Sequence, residues 1–269
     1  MKLALYGLHR GSCAEPDNLA RLALLAEDVG FEGLWVGDHI ALPADVNQEP
    51  VRLEAAVVLS YLAAVTTRVG LGFGVLVLPQ RQPVLLAKQL SSLDFLSRGR
   101  LTVGVGAGWV EPELSALGVS LSTRAARMDE YLAAMRALWD SPVPAFTGSF
   151  VSFSGVSQRP LPVQRPHPPI VVGGHVPAAL RRAAHHGNGW DGWDLDVRET
   201  AAHLADLRAI DRPAALGDLE ITITPPSIPD RDTVHRYADL GVHRLVLQPE
   251  STDSAAMAQL ITTVAETLI

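Results

Sequence analysis

Asp38 and His39 follow the apolar run FEGLWVG at once. A short run rich in aromatic and branched residues reads as a buried strand, so both side chains should emerge at its end. There a carboxylate can accept hydrogen bonds and an imidazole can move protons near neutral pH. The residues alone leave a second reading open, in which Asp38 caps the loop and His39 packs inward. Glycines form two further constellations. Gly104-Val-Gly-Ala-Gly-Trp109 closes another strand-like run, where the missing side chains let a ligand approach the backbone or make a tight corner. Gly173-Gly174, followed by His175 to Ala178 at the start of a helical stretch, adds a helix N-terminus able to receive an anion. Two such sites suggest a phosphate-bearing cofactor, although neither matches a Walker loop or the dinucleotide fingerprint.

These residues need strands to present them, and the chain supplies strands and helices in alternation. Strand-like runs at 2–7, 31–37, 68–77, 100–106, 169–173, 188–193, 219–223 and 243–247 are each followed by a helix-like run. The helices fall at 16–29, 52–66, 83–97, 122–140, 177–186, 197–210, 230–240 and 253–268. Eight βα units in 269 residues predict one α/β domain spanning 1–269, a TIM (β/α)8 barrel, with chemistry at the C-terminal ends of the strands. One segment breaks the rhythm. Residues 142–167 alternate aromatics and then turn proline-rich, which suits a short hairpin and an extended surface excursion.

Composition narrows the chemistry. The net charge is −7 and no basic stripe gathers along the chain, which argues against a nucleic-acid role. Lys2 and Lys88 are the only lysines, which leaves no good candidate for a Schiff base at a strand end. Cys13 stands alone, and His9 and His39 are too few at strand ends for a metal hydrolase, so no metal is expected. Glu111 and Glu113 have no facing carboxylate after the seventh strand, where Thr224-Pro-Pro-Ser227 stands, and this argues against a retaining glycosidase. Apolar runs are broken within about ten residues and MKLALYG has no cleavable signal pattern, so the expectation is a cytoplasmic protein without membrane contact.

Taken in order, GFEGLWVGDHI, RVGLGFGVLVLPQRQPVLLAKQLSSLDFLSRGRLTVGVGAGWVEPEL and PPIVVGGHVPAALRRAAHHGNGW resemble the luciferase-like oxidoreductases that use a flavin or the deazaflavin coenzyme F-420. The resemblance covers nearly the whole chain and is more specific for the superfamily than for the cofactor. It implies an oxidoreductase acting on a small organic substrate. Asp38 would contact the cofactor ring and His39 would be the catalytic proton donor or acceptor. Gly74-Val75 would form a strand bulge against the ring's face, a place where the family often holds a non-prolyl cis peptide. Ala107-Gly108 and Gly173-Gly174, with Val176-Pro177, would line the cofactor and receive its phosphate. Where the sugar-phosphate dehydrogenases of the superfamily carry a Glu and an Asn, this chain carries Trp109 and Pro112, so sugar-phosphate oxidation is not expected. No basic residue stands between Gly104 and Ser122 to meet an FMN phosphate, which favours F-420 over FMN. An FMN-dependent monooxygenase and a non-catalytic flavin or deazaflavin carrier are the alternatives.

His9 and Trp109 are expected in the substrate pocket, Trp109 because an indole beside the glycine segment can stack on a ring. The helix at 52–66, RLEAAVVLSYLAAVT, is apolar nearly all round, and the one at 83–97 adds Val84, Leu85, Leu86, Leu90, Leu93 and Phe95. Together they predict a homodimer through these two helices.

Overall fold

A computed structural model describes residues 1–45 and 50–269. The strands are β1 (Lys2–Tyr6), β2 (Gly33–Val36), β3 (Gly70–Phe73) with its continuation β4 (Leu76–Val77), and β5 (Leu101–Gly106). A two-stranded antiparallel hairpin, β6 (Phe146–Thr147) and β7 (Ser152–Phe153), precedes β8 (Ile170–Gly173), β9 (Gly189–Trp193), β10 (Glu220–Thr224) and β11 (Arg244–Leu247). Parallel pairing runs β3-β2-β1-β11-β10-β9-β8-β5 and closes through β3–β5, which makes the expected eight-stranded barrel.

The outer helices are α1 (Pro16–Val29), α2 (Ala55–Val65), α3 (Pro83–Leu96), α4 (Glu111–Ala116), α5 (Arg124–Asp140), α6 (Pro177–His186), α7 (Val197–Arg208), α8 (Arg231–Asp239) and α9 (Ser254–Leu268). Only α4 lies outside the sequence expectation. Its six residues are too few to show a helical period, and a proline at its second position starts the turn. The hairpin and the proline-rich run sit where 142–167 broke the rhythm. The Asp94 carboxylate pins that run to α3 by accepting the Val163 and Gln164 amides at 2.7 and 3.0 Å.

The predicted single strand 68–77 is interrupted at Gly74-Val75, where the peptide is cis. The glycines of the neighbouring strands explain how this bulge fits. A Cβ on Gly104 would lie 1.8 Å from the Phe73 carbonyl oxygen, and one on Gly106 or Gly173 would meet a Val75 methyl at 2.7 or 2.8 Å. Part of the Gly104 to Trp109 signal is therefore packing around the bulge. Trp35 is core as well: it is buried in the lumen with Ala4, Tyr6 and Val246, and a Cβ on Gly72 would lie 2.4 Å from its ring. Below it, Arg244 plugs the barrel floor between Glu32 and Glu220.

Helix α2 is buried more deeply than an outer helix with one apolar stripe. Ala55, Ala56, Val58, Leu59, Leu62 and Ala63 all face the protein's own interior. Its exposed large apolar residues are Val57 at 65% and Tyr61, and α3 adds Leu85, Phe95 and Leu96. No helix among the described residues is long and apolar enough to cross a membrane.

Candidate active site

The barrel mouth carries a cavity of about 480 Å³. Tyr6 and Arg10 from the β1 exit, His39, Leu42 and Pro43 from the β2 exit, Arg52, Trp109 to Pro112 and Gln248 line it. His39 is the polar residue that anchors the arrangement. Its Nδ1 lies 3.0 Å from Oε2 of Glu113, while Oε1 of the same carboxylate accepts the Ile40 and Ala41 amides at 2.5 and 3.0 Å. Burial alone would raise the Glu113 carboxyl. The hydrogen bonds from His39, Ala41 and Ile40 outweigh it and hold the carboxyl at about 2. An ionised Glu113 accepts a hydrogen bond from Nδ1–H, which fixes the tautomer and leaves Nε2 as the nitrogen able to exchange a proton with a ligand.

Asp38 is buried at the β2 exit. Its carboxylate is 1% exposed and accepts from the Val77 amide at 2.9 Å and from Arg81 Nε and Nη2 at 3.1 and 2.5 Å. Arg81 also reaches Glu54 Oε1 at 2.6 Å. Val77 follows the bulge by two residues, so Asp38 holds the bulge from behind while its own charge is met by Arg81.

The other expected cofactor residues gather on neighbouring strand ends. Gly74-Val75, Ala107-Gly108 and Gly173-Gly174 lie at the exits of β3, β5 and β8, which follow one another around the barrel. Gly174 is exposed with φ +113°, and Val176 and Pro177 open α6 beside it. No side chain caps α6; Pro177 has no amide proton and the Ala179 amide donates to the Val176 carbonyl, so the Ala178 amide is the first-turn donor that can meet an anion. These segments therefore fit a phosphate-bearing planar cofactor: an open backbone edge, an uncapped helix start, and Val75 standing between them.

Trp109, 77% exposed, lines the cavity. His9 is fully buried in the wall behind the cavity lining, its ring edge-on to Tyr6 at 5.3 Å, and neither ring nitrogen has a hydrogen-bond partner among the described residues. Burial first, then the charges of Arg10, Arg52 and His39, push its imidazole down to about 3, so it is neutral. Sequence reasoning weighed Glu113 only as a glycosidase carboxylate and set it aside, and it missed Arg81. It also placed no cation near the glycine segment, yet Arg124 reaches back from α5 to donate to the Gly108 carbonyl at 3.0 Å. A second bond, to the Leu121 carbonyl, keeps its guanidinium on the backbone.

Residues 4–260 match the family model for the luciferase-like monooxygenases. An uncharacterized protein of Mycobacterium tuberculosis is 33% identical over 88% of this chain and 89% of its own length. The FMNH2-dependent dimethylsulfone monooxygenase of Pseudomonas putida is 30% identical over 70% of this chain and 52% of its own. Among solved structures, an F-420-dependent secondary alcohol dehydrogenase superposes with a TM-score of 0.80 at 16% identity, covering 99% of this chain and 98% of that one.

Proposed function

Because the chain belongs to the luciferase-like monooxygenase family, we propose that its mouth binds a reduced deazaflavin or flavin and transfers hydride between that cofactor and a small organic substrate. The observation that carries this is the His39–Glu113 pair at the barrel mouth, with His39 on the cavity lining and the strand ends of Gly74-Val75, Ala107-Gly108 and Gly173-Gly174 at the same end of the barrel. The cofactor, when bound, supplies the two-electron chemistry.

The residues of the chain do the rest. Gly173-Gly174 and the uncapped start of α6 receive the cofactor's phosphate, and Val75 supports its ring. Asp38 and Arg81 keep Val75 in place through Val77. His39 exchanges a proton with the substrate at Nε2, while Glu113 stabilises the imidazolium that forms. Trp109 and Leu42 supply apolar walls that limit water. F-420 is the preferred cofactor, since the Arg124 guanidinium is engaged by two backbone carbonyls instead of facing a phosphate.

A second reading, an FMN-dependent monooxygenase, is favoured by the dimethylsulfone monooxygenase relative. Anaerobic single-turnover oxidation of the reduced cofactor on the protein, with candidate carbonyl acceptors and then with oxygen, tests both. Acceptor-dependent oxidation without oxygen supports the dehydrogenase or reductase reading. Oxidation by oxygen that leaves one oxygen atom in the organic substrate supports the monooxygenase. Tight cofactor binding with neither contradicts both and leaves a carrier.

A further inference from the structure

Strand β9 runs past β8 at the mouth, and a side chain closes its last rung. Gly173 pairs with Asp191, and the Gly174 amide donates to the Asp191 carbonyl. Regular parallel pairing would next send the Trp193 amide to the Gly174 carbonyl. The chain leaves the sheet at Gly174, with φ +113°, and both groups turn elsewhere. The Gly174 carbonyl accepts from Trp190 Nε1 at 2.9 Å, and the Trp193 amide donates to Nε2 of His175 at 3.1 Å. An imidazole from the segment between β8 and α6 thus takes the place of the missing backbone acceptor.

Trp193 is the residue so held. It is 37% exposed, and its ring meets Tyr6, which lines the cavity, edge-on at 5.2 Å. On its other side β10 pairs it with Thr224, and the chain then turns at Asp194, with φ +56°. His175 is the hold from the β8 side. A backbone amide can only donate, so Nε2 carries no proton and neutral His175 keeps its proton on Nδ1. An imidazolium has no lone pair to offer, and protonation breaks the bond. His203 and Glu199 face His175 from α7 and Asp194 from the β9 exit, with the Trp190 ring beside it at 6.4 Å. Burial first, and then His203, lower the imidazole from the ordinary 6.5, while Glu199 and Asp194 act the other way. At neutral pH His175 is therefore in its accepting form.

We propose that His175 is a positioning residue that sets Trp193 as an aromatic wall of the mouth, suited to the apolar or ring-bearing part of a substrate, and that acid releases this wall. The inference rests on the functional reading above, in that the mouth is taken as the place of reaction.

Acrylamide quenching of tryptophan emission, measured without cofactor, tests it. Trp35, Trp139 and Trp190 are buried, so in a Trp109→Phe background the accessible indole is Trp193, and adding Trp193→Phe should abolish the quenchable fraction. Quenching should be level from about pH 8 to 6.5 and rise about twofold or more below, as His175 takes up a proton. His175→Gln, whose amide oxygen accepts at any pH, should keep the low value throughout, and His175→Phe the high one. Circular dichroism, unchanged over the range, shows that the variants are folded. A flat profile with His175 in place overturns the proposal. So does a rise that survives in His175→Gln, which would assign it to His203, Glu199 or Asp194. The glutamine comparison decides the matter even if His175→Phe does not fold. Failure of the wild type to bind either cofactor counts against the functional reading alone, because the quenching needs none.

Discussion

Glu113 holds His39 from 74 residues further along the chain, at 3.0 Å through Nδ1, and the same carboxylate accepts the backbone amides of Ile40 and Ala41. One acidic side chain therefore fixes both the loop that carries the histidine and the histidine's tautomer. Glu113→Gln keeps the size but loses the charge that stabilises imidazolium. Turnover should fall about tenfold or more, with cofactor affinity little changed. Steady-state kinetics beside a cofactor titration checks this, and unchanged turnover would leave Glu113 a loop anchor only.

The same residue sets an acid limit. The Glu113 carboxyl is held at about 2 against an ordinary 4.5, so its contribution to stability is complete above about pH 4.5 and is lost as the pH falls towards 2. Thermal unfolding of the wild type should lose stability across that window, and Glu113→Gln should show a flatter profile. Parallel profiles would contradict the pairing.

Asp191 titrates in the opposite sense. It is fully buried in β9, and desolvation raises it from 3.8 to about 7 although the charge of Arg244 acts the other way. The folded state keeps a proton that the unfolded chain gives up, so stability declines as the pH rises from about 4 to 7 and levels off above. Asp191→Asn should be more stable than the wild type at pH 8 and indistinguishable from it below pH 4. Denaturant midpoints at the two pH values decide the point.

Asp38→Asn tests the support behind the bulge. Removing the charge leaves Arg81, 11% exposed, without one of its two carboxylates. A loss of about 3–5 kcal/mol is expected for breaking such a buried pair. Cofactor affinity should fall with it, because the one amide oxygen of Asn cannot serve Val77 and both Arg81 nitrogens as the carboxylate does, which loosens the support of Val75. A variant with wild-type stability and weaker cofactor binding would instead restore the direct ring contact inferred from the resemblance.

The strand and helix order was legible because period and length agree in nearly every unit. Even β9 formed, although GWDGW carries two glycines and an aspartate that weaken any strand signal. The hidden parts are those made between distant segments. Nothing local links Glu113 to His39 or Arg81 to Asp38, because such pairs arise only when strand ends are brought around a barrel. The glycines of β5 were visible, but their packing role depends on a bulge in another strand. The apolar faces of α2 were visible too, yet Val58 and Leu62 turn inward.

That correction reshapes the assembly expectation. We propose that a homodimer forms through the outward residues of α2 and α3, Val57, Tyr61, Leu85, Phe95 and Leu96, whose exposure leaves apolar surface for a second copy. Sedimentation velocity at micromolar concentration should show a dimer that Val57→Glu or Leu85→Glu dissociates. Val58→Glu should unfold the protein. A wild-type monomer removes the proposal.

His39→Ala probes the proton step, and should lower turnover by about 10²-fold while cofactor binding stays close to wild type. Unchanged turnover would return His39 to a structural role.

The roles of His39 and of the glycine-rich strand ends depend on the mouth being a cofactor site, and fluorescence titration of the purified protein with F-420 and with FMN tests that most directly. The account predicts saturable binding at the mouth, tighter for F-420 than for FMN. Submicromolar FMN binding with no response to F-420 would contradict the cofactor preference, and no binding of either would contradict the function itself.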